Sequence, residues 1–165
     1  APQKVFGCNA AAVLYSRRFI ESQPFQEFFD ENMWMYLEDV DIAARATVTG
    51  WDNYVVPGAR AYHMGSVSSG SNPGFSLYYT FRNNLGLLVK NLPLIILFRM
   101  IPKIIRGDIA TYKVLWRTNR KKLVLVVLKA RLIGFIKLPI FMIKRRKIEV
   151  EVETKYLWRL MYRGY

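Results

Sequence analysis

FDENMWMYLEDVDIAARATVTG, residues 29–50, sets three carboxylates, Glu38, Asp39 and Asp41, at the opening of a predicted helix. An apolar lead-in (Met33, Trp34, Met35, Tyr36, Leu37) precedes them. Ile42, Ala43, Ala44, Ala46 and Val48 follow at helical spacing until Gly50 stops the run. Acids in a first turn complement the positive end of the helix dipole, so such a turn holds fixed negative charge. At roughly 100° per residue Glu38 and Asp41 share a face. Asp41 also stands four residues before Arg45, a pairing worth about 0.3–0.5 kcal/mol. Asp39 points elsewhere, with small Ala43 four residues on and no basic partner on its face. That makes Asp39 the candidate for an accessible base. Taken alone, the cluster also reads as three acids that only complement a dipole.

A wider pattern bears on that choice. Phe29-Asp30-Glu31, Tyr36, Glu38-Asp39-Val40-Asp41, Arg45 and Gly50-Trp51 stand in the order of a known motif. The order resembles the acceptor-side motif of family 2 inverting glycosyltransferases, in particular the bacterial rhamnosyltransferase-like group. Residues 7–18, Pro57-Gly58-Ala59, His63, Arg82-Asn83 and Lys90-Asn91-Leu92-Pro93 extend the resemblance over residues 1–93, and the tail follows it loosely. Each short motif is weak by itself; the ordered set is specific.

The resemblance implies an α/β fold, the C-terminal half of a GT-A nucleotide-diphospho-sugar transferase, followed by amphipathic membrane-associated helices. A nucleotide-binding half ending in an acidic DxD metal site would precede Ala1. Asp39-Val40-Asp41 is itself a DxD, but a helix following at once and a histidine downstream suit the acceptor side better. The implied reaction moves a sugar from a nucleotide-diphosphate donor to a saccharide or polyprenyl-linked acceptor with inversion, in bacterial cell-surface polysaccharide synthesis. Asp39 would be the general base, with Glu38 and Asp41 shaping the acceptor pocket. His63 would help hold Mg²⁺ or Mn²⁺ on the donor diphosphate, and Arg82, Ser66 and Ser68 would meet that diphosphate.

Charge divides the chain. Residues 1–92 carry 7 Lys and Arg against 8 Asp and Glu, whereas residues 93–165 carry 18 against 4, so the net charge of +13 lies in the tail. This predicts a near-neutral domain over 1–92, which the resemblance makes the acceptor-side half of the catalytic domain, and a basic amphipathic helical membrane-association tail over 93–165. A hydrophobic content of 52% excludes a disordered chain. The single cysteine, Cys8, excludes an internal disulfide and suits a small buried position.

Taken in order, residues 5–15 read as a buried strand that ends at Ser16-Arg17-Arg18 before a short helix. Residues 51–56 read as a strand, Pro57-Gly58 as a turn, and 60–64 as a second short strand ending at His63, the only histidine. Such a histidine is ordinarily a hydrogen-bonded structural residue; only the resemblance makes it a ligand. Residues 65–74, rich in Gly and Ser, read as a substrate-ordered loop. Residues 75–91 form a helix with Leu77, Phe81, Leu85 and Leu88 on one stripe. Arg82 lies far in sequence from any acid, so it either caps a carbonyl or meets an anion.

In the tail, residues 94–106 place Arg99, Lys103 and Arg106 on one stripe beside a broad apolar surface, the pattern of a helix lying in a membrane interface. Gly107-Asp108 should interrupt that helix, and Pro139 should break the next one, which begins at Lys121. The basic run Lys144-Arg145-Arg146-Lys147 follows an apolar stretch and suits anionic lipid headgroups. The resulting expectation is peripheral attachment to the cytoplasmic face of the membrane, with no nucleic-acid partner. The alternative is a non-catalytic peripheral membrane or nucleic-acid-binding module acting through the basic tail.

Overall fold

The computed structural model describes residues 1–25, 27–64 and 72–163. Ser66 and Ser68 lie outside the described residues. The elements run β1 (Gln3–Val5), α1 (Arg17–Glu21), α2 (Glu38–Val48), β2 (Asn53–Val55), α3 (Pro73–Asn91), α4 (Leu94–Arg117), α5 (Lys121–Arg145) and α6 (Thr154–Arg163). The strands β1 and β2 pair antiparallel, Lys4 opposite Tyr54, and are the only sheet among the described residues.

The acidic helix forms where its sequence predicts. Glu38, Asp39 and Asp41 occupy its first turn and Arg45 its last. It ends as expected, with Gly50 at a φ of 77° and Trp51 N–H donating to Ala46 O at 2.8 Å, the long-range bond of a Schellman cap. Every residue from 41 to 48 is buried, which is why its apolar positions are mostly alanine. Helix α3 starts two residues before the predicted 75, inside the predicted loop: the Asn72 side chain accepts from Gly74 N–H at 2.9 Å, and Pro73 supplies a preset φ at the first position.

Other expectations are corrected. Of the strand predicted over 5–15 only Val5 pairs, as the last residue of β1, and the chain from 59 to 64 is irregular. Helix α4 runs through Gly107-Asp108 unbroken. One glycine costs a helix only about 1 kcal/mol, and Asp108 is held from α5 by a two-pronged pair, Arg131 Nη2 to Oδ1 at 2.5 Å and Nε to Oδ2 at 2.8 Å. Helix α5 likewise continues past Pro139. What ends α4 is Asn119 at a φ of 55°, with Arg120 N–H donating to Leu115 O at 2.8 Å and Asn119 N–H to Trp116 O at 3.2 Å.

The two predicted portions share one core. Met33, Val48, Leu87 and Leu92 from the first pack with Ile96, Phe141, Ile148 and Leu157 from the second, so residue 92 is not a boundary between separate cores. Helix α5 crosses α3 at van der Waals distance. A Cβ on Gly134 would stand 2.7 Å from Arg82 O, and one on Gly86 would stand 2.3 Å from the Phe141 ring. Behind α5, Glu151 N–H donates to Val48 O at 2.8 Å and returns the chain to the acidic helix.

Candidate active site

The residues just before the acidic helix adopt a conformation that their side chains disfavour. Trp34, Tyr36 and Leu37 all have positive φ, at 59°, 64° and 68°. None is Gly or Asn, so each costs of order 1–3 kcal/mol. Polar contacts from α3 hold the turn in place. Arg82 Nη2 donates to Asn32 O at 3.1 Å and to Met33 O at 2.5 Å. Asn83 Nδ2 donates toward the carbonyls of Met33, Met35 and Tyr36 at 2.9, 2.8 and 2.8 Å. Bonds of this kind contribute about 1 kcal/mol each, or 1.5–3 where the donor is charged, the same order as the strain they oppose.

The turn delivers Asp39 to a cavity of about 330 Å³ lined by residues 6–9, Asp39, Val40 and Ala43; Glu38 is its chain neighbour and is not in that lining. Asp39 is half-buried there. Its Oδ1 accepts the adjacent Val40 N–H at 2.8 Å, and Oδ2 lies 3.5 Å from Ala10 N. Glu38 is also half-buried, and its Oε2 is out of solvent without a hydrogen-bond partner. Burial first, then the Asp39 charge, pushes the Glu38 carboxyl above the ordinary carboxylate range. Burial and the same Asp39 charge raise the Tyr15 hydroxyl. Cys8 is half-buried on the cavity wall, with its thiol 3.5 Å from Tyr54 O.

Asp41 has a different position from the one expected. It is fully buried, with Oδ2 2.8 Å from Lys90 Nζ and 3.2 Å from Arg45 Nε, and Oδ1 accepting from Asn91 at 2.7 Å. The local pairing with Arg45 is therefore present, but Asp41 stabilises the scaffold and does not line an acceptor pocket. Lys90 also reaches Asp30 Oδ2 at 2.5 Å, and Asp30 Oδ1 accepts from Lys144 at 2.7 Å. Lys144 additionally pairs with Glu27. Lys90 signals this network in sequence, as one of two cations, with Arg82, on a helix that carries no acid. Its partners lie too far away in the chain to be read.

That network also revises the basic run of the tail. Lys144 is spent on Glu27 and Asp30, and Arg145 on the carbonyls of Val89 and Leu92, leaving Arg146 and Lys147 exposed. Arg99 and Lys103 lie over the Trp158 ring at 5.6 and 5.1 Å, so part of the predicted cationic stripe faces α6.

A segment of 49 residues, 30% of this chain, is 41% identical to the N-acetylglucosaminyl-diphospho-decaprenol L-rhamnosyltransferase of Mycobacterium tuberculosis, in strain CDC 1551 / Oshkosh and equally in strain ATCC 25618 / H37Rv. This supports a glycosyltransferase relationship. The matched stretch spans 16% of the length of those relatives. No protein-family model matches the chain, and no solved structure matches it.

With that relationship, the remaining residues of the motif can be placed. Arg82 is buried, its Nε donates to Asn83 Oδ1 at 2.8 Å, and its guanidinium lies 4.6 Å from the centre of the Tyr79 ring. Of the two roles open to it, it takes the carbonyl cap. His63 is exposed, and among the described residues no group of three His, Cys, Asp or Glu could hold a metal ion. His63 thus offers one ligand and not a site. Among the described residues no helix is long and apolar enough to cross a membrane.

Proposed function

We propose that this chain is the acceptor-side part of an inverting glycosyltransferase of GT-A type, with Asp39 as general base. Asp39 takes the proton of an acceptor hydroxyl as that oxygen attacks the anomeric carbon of a nucleotide-diphospho-sugar. The anomeric carbon's bond to the diphosphate breaks, and the nucleoside diphosphate leaves with the electron pair. The observation that carries this reading is the contrast among the acids. Asp30 and Asp41 are buried against lysines, whereas Asp39 faces an open cavity with no cation paired to it among the described residues. The name of the Mycobacterium relatives specifies a saccharide on a decaprenol diphosphate. We adopt a polyprenyl-linked saccharide as the acceptor class here. A divalent ion would need its other ligands from the donor-binding half.

Attachment to an anionic membrane surface belongs to the same proposal. Leu94, Phe98, Ile101, Ile105 and Ile109 recur at helical spacing along α4 and are all exposed, and the segment that carries them holds 18 of the 25 basic residues. An apolar stripe beside exposed Arg106 and Lys113 suits a helix lying in the headgroup layer.

The test is Asp39→Asn in the full-length protein. The amide fills the same space but accepts no proton, so transfer should fall by about 10²–10⁴-fold while the thermal unfolding midpoint stays unchanged. Near-normal turnover excludes Asp39 as the base.

A further inference from the structure

We propose that Arg82 and Asn83 are positioning residues that hold the left-handed turn feeding Asp39, and that they do not form a diphosphate site. The proposal rests on the reading of Asp39 as base.

Leu37, the residue before the acidic helix, has a φ of 68°, and only Glu38 separates it from Asp39. A change in the turn therefore rotates the helix start and swings the Asp39 carboxylate relative to the cavity. Nothing in the turn's own sequence favours positive φ, so its shape must be imposed from outside. The imposing groups are adjacent on α3. The amide of Asn83, 1% exposed, points its Nδ2 at three turn carbonyls, and Arg82 Nε on Asn83 Oδ1 fixes which way that amide faces. Arg82 Nη2 shares the Met33 carbonyl with Asn83 and takes the next one back along the chain, Asn32.

The pair is itself buttressed. Gly134 lets the α5 backbone approach Arg82 O, and Lys137 Nζ reaches Asn32 O at 3.3 Å. An anion meeting Arg82 Nε or Nη2 would have to displace Asn83 Oδ1 or the carbonyls that define the turn.

Two substitutions separate the roles in the full-length protein. Asn83→Asp keeps the shape but replaces both amide donors with acceptors. Arg82→Lys keeps the positive charge and loses the fork. If the pair positions Asp39, each should lower kcat by up to about 10²-fold, the scale on which a 1 Å misplacement acts. The acidic limb of the kcat–pH profile should move with it, and the Kd for uridine diphosphate or thymidine diphosphate should stay within about twofold. Trp34→Gly, which removes one side chain from a positive-φ position, should restore part of the kcat lost in Asn83→Asp.

If Arg82→Lys instead keeps its kcat, or if either variant weakens nucleoside diphosphate binding about tenfold, the positioning role is overturned. A measurement on the unsubstituted protein covers the case in which both variants unfold: the Arg82 Nε–H resonance should stay in place while uridine diphosphate or thymidine diphosphate is titrated to saturation, and its displacement overturns the proposal. Asp39→Asn measured alongside separates the two ideas. Normal turnover there removes the base and the positioning role together, whereas an inactive Asp39→Asn beside fully active Asn83 and Arg82 variants removes the positioning role alone.

Discussion

Gly7 and Ala43 meet so closely that a Cβ on Gly7 would stand 2.2 Å from the Ala43 Cβ. Ala43 is one helical turn beyond Asp39 on the same face of α2, so this contact brings the irregular backbone of residues 7–10 against the acid. It puts Ala10 N 3.5 Å from Asp39 Oδ2 and gives the cavity its wall. A larger residue at either position would push the wall away.

Gly7→Ala should destabilise the protein by about 1–3 kcal/mol through overpacking and should reduce transfer by widening the space beside Asp39. Adding Ala43→Gly returns the lost volume. The double variant should then recover turnover, though a glycine inside the helix still costs it about 1 kcal/mol. Unfolding midpoints and turnover of the two variants check this. A Gly7→Ala protein with wild-type values for both would mean that the wall does not depend on the contact.

Removing Lys90 should be far more costly than removing a surface cation. Lys90→Met leaves Asp30 and Asp41 buried around an apolar side chain, and breaking a buried pair in this way costs about 3–5 kcal/mol. Chemical denaturation should show that loss at neutral pH, and a change under about 1 kcal/mol would mean the pair is solvated.

Acid should expose the same network. Burial alone would raise the Asp30 carboxyl, but the charge of Lys90 and hydrogen bonds from Lys144 and Lys90 outweigh it and hold the carboxyl below the ordinary carboxylate range. The folded value lies below the unfolded value of about 3.9, so the stability Asp30 contributes is complete above that pH and is lost as pH falls through the folded value. Unfolding midpoints measured downward from pH 6 should begin to drop near pH 4, and Asp30→Asn should flatten that drop while lowering stability at neutral pH. An identical acid limb in both proteins would assign it to other carboxylates.

The exposed stripe of α4 should govern lipid binding. Phe98, Ile101 and Ile105 are outside the core, so changing all three to Ser should leave the unfolding midpoint in place and weaken binding to vesicles containing anionic lipid. Arg146→Gln with Lys147→Gln should reduce only the salt-sensitive part, which is screened over roughly 8 Å at physiological ionic strength. A triple-Ser protein that binds vesicles as well as the parent would place the apolar stripe against protein instead.

What was legible in the sequence was local. The α2 helix shows its beginning in its acids and its end in Gly50, α3 shows its body from residue 75 onward, and Asp41 with Arg45 is an ordinary one-turn pair. Asp39 stood out because no cation sits one turn from it, and the structure places it at a cavity. The rest depends on partners distant in the chain. Gly107 and Pro139 look like breaks because their local cost is visible and the surrounding packing is not; Arg131 on Asp108 and Phe141 against Gly86 appear only in three dimensions. The left-handed turn at 34–37 carries no glycine or asparagine to announce it, since α3 imposes its shape.

Asp30, which lies just ahead of the acidic turn, is fastened by Lys144, 114 residues later in the chain. On a ribosome the acids of the candidate site emerge early, and the last of their fastening emerges only with the end of α5. Until then Asp30 has Lys90 but lacks Lys144, and the faces of α3 that pack on α5 at Gly86 and Arg82 have no cover. Interactions this distant in sequence form slowly, because the intervening chain must first be closed into a loop. Emergence of the end of α5, and not the formation of the first helices, therefore sets the time at which the site can exist.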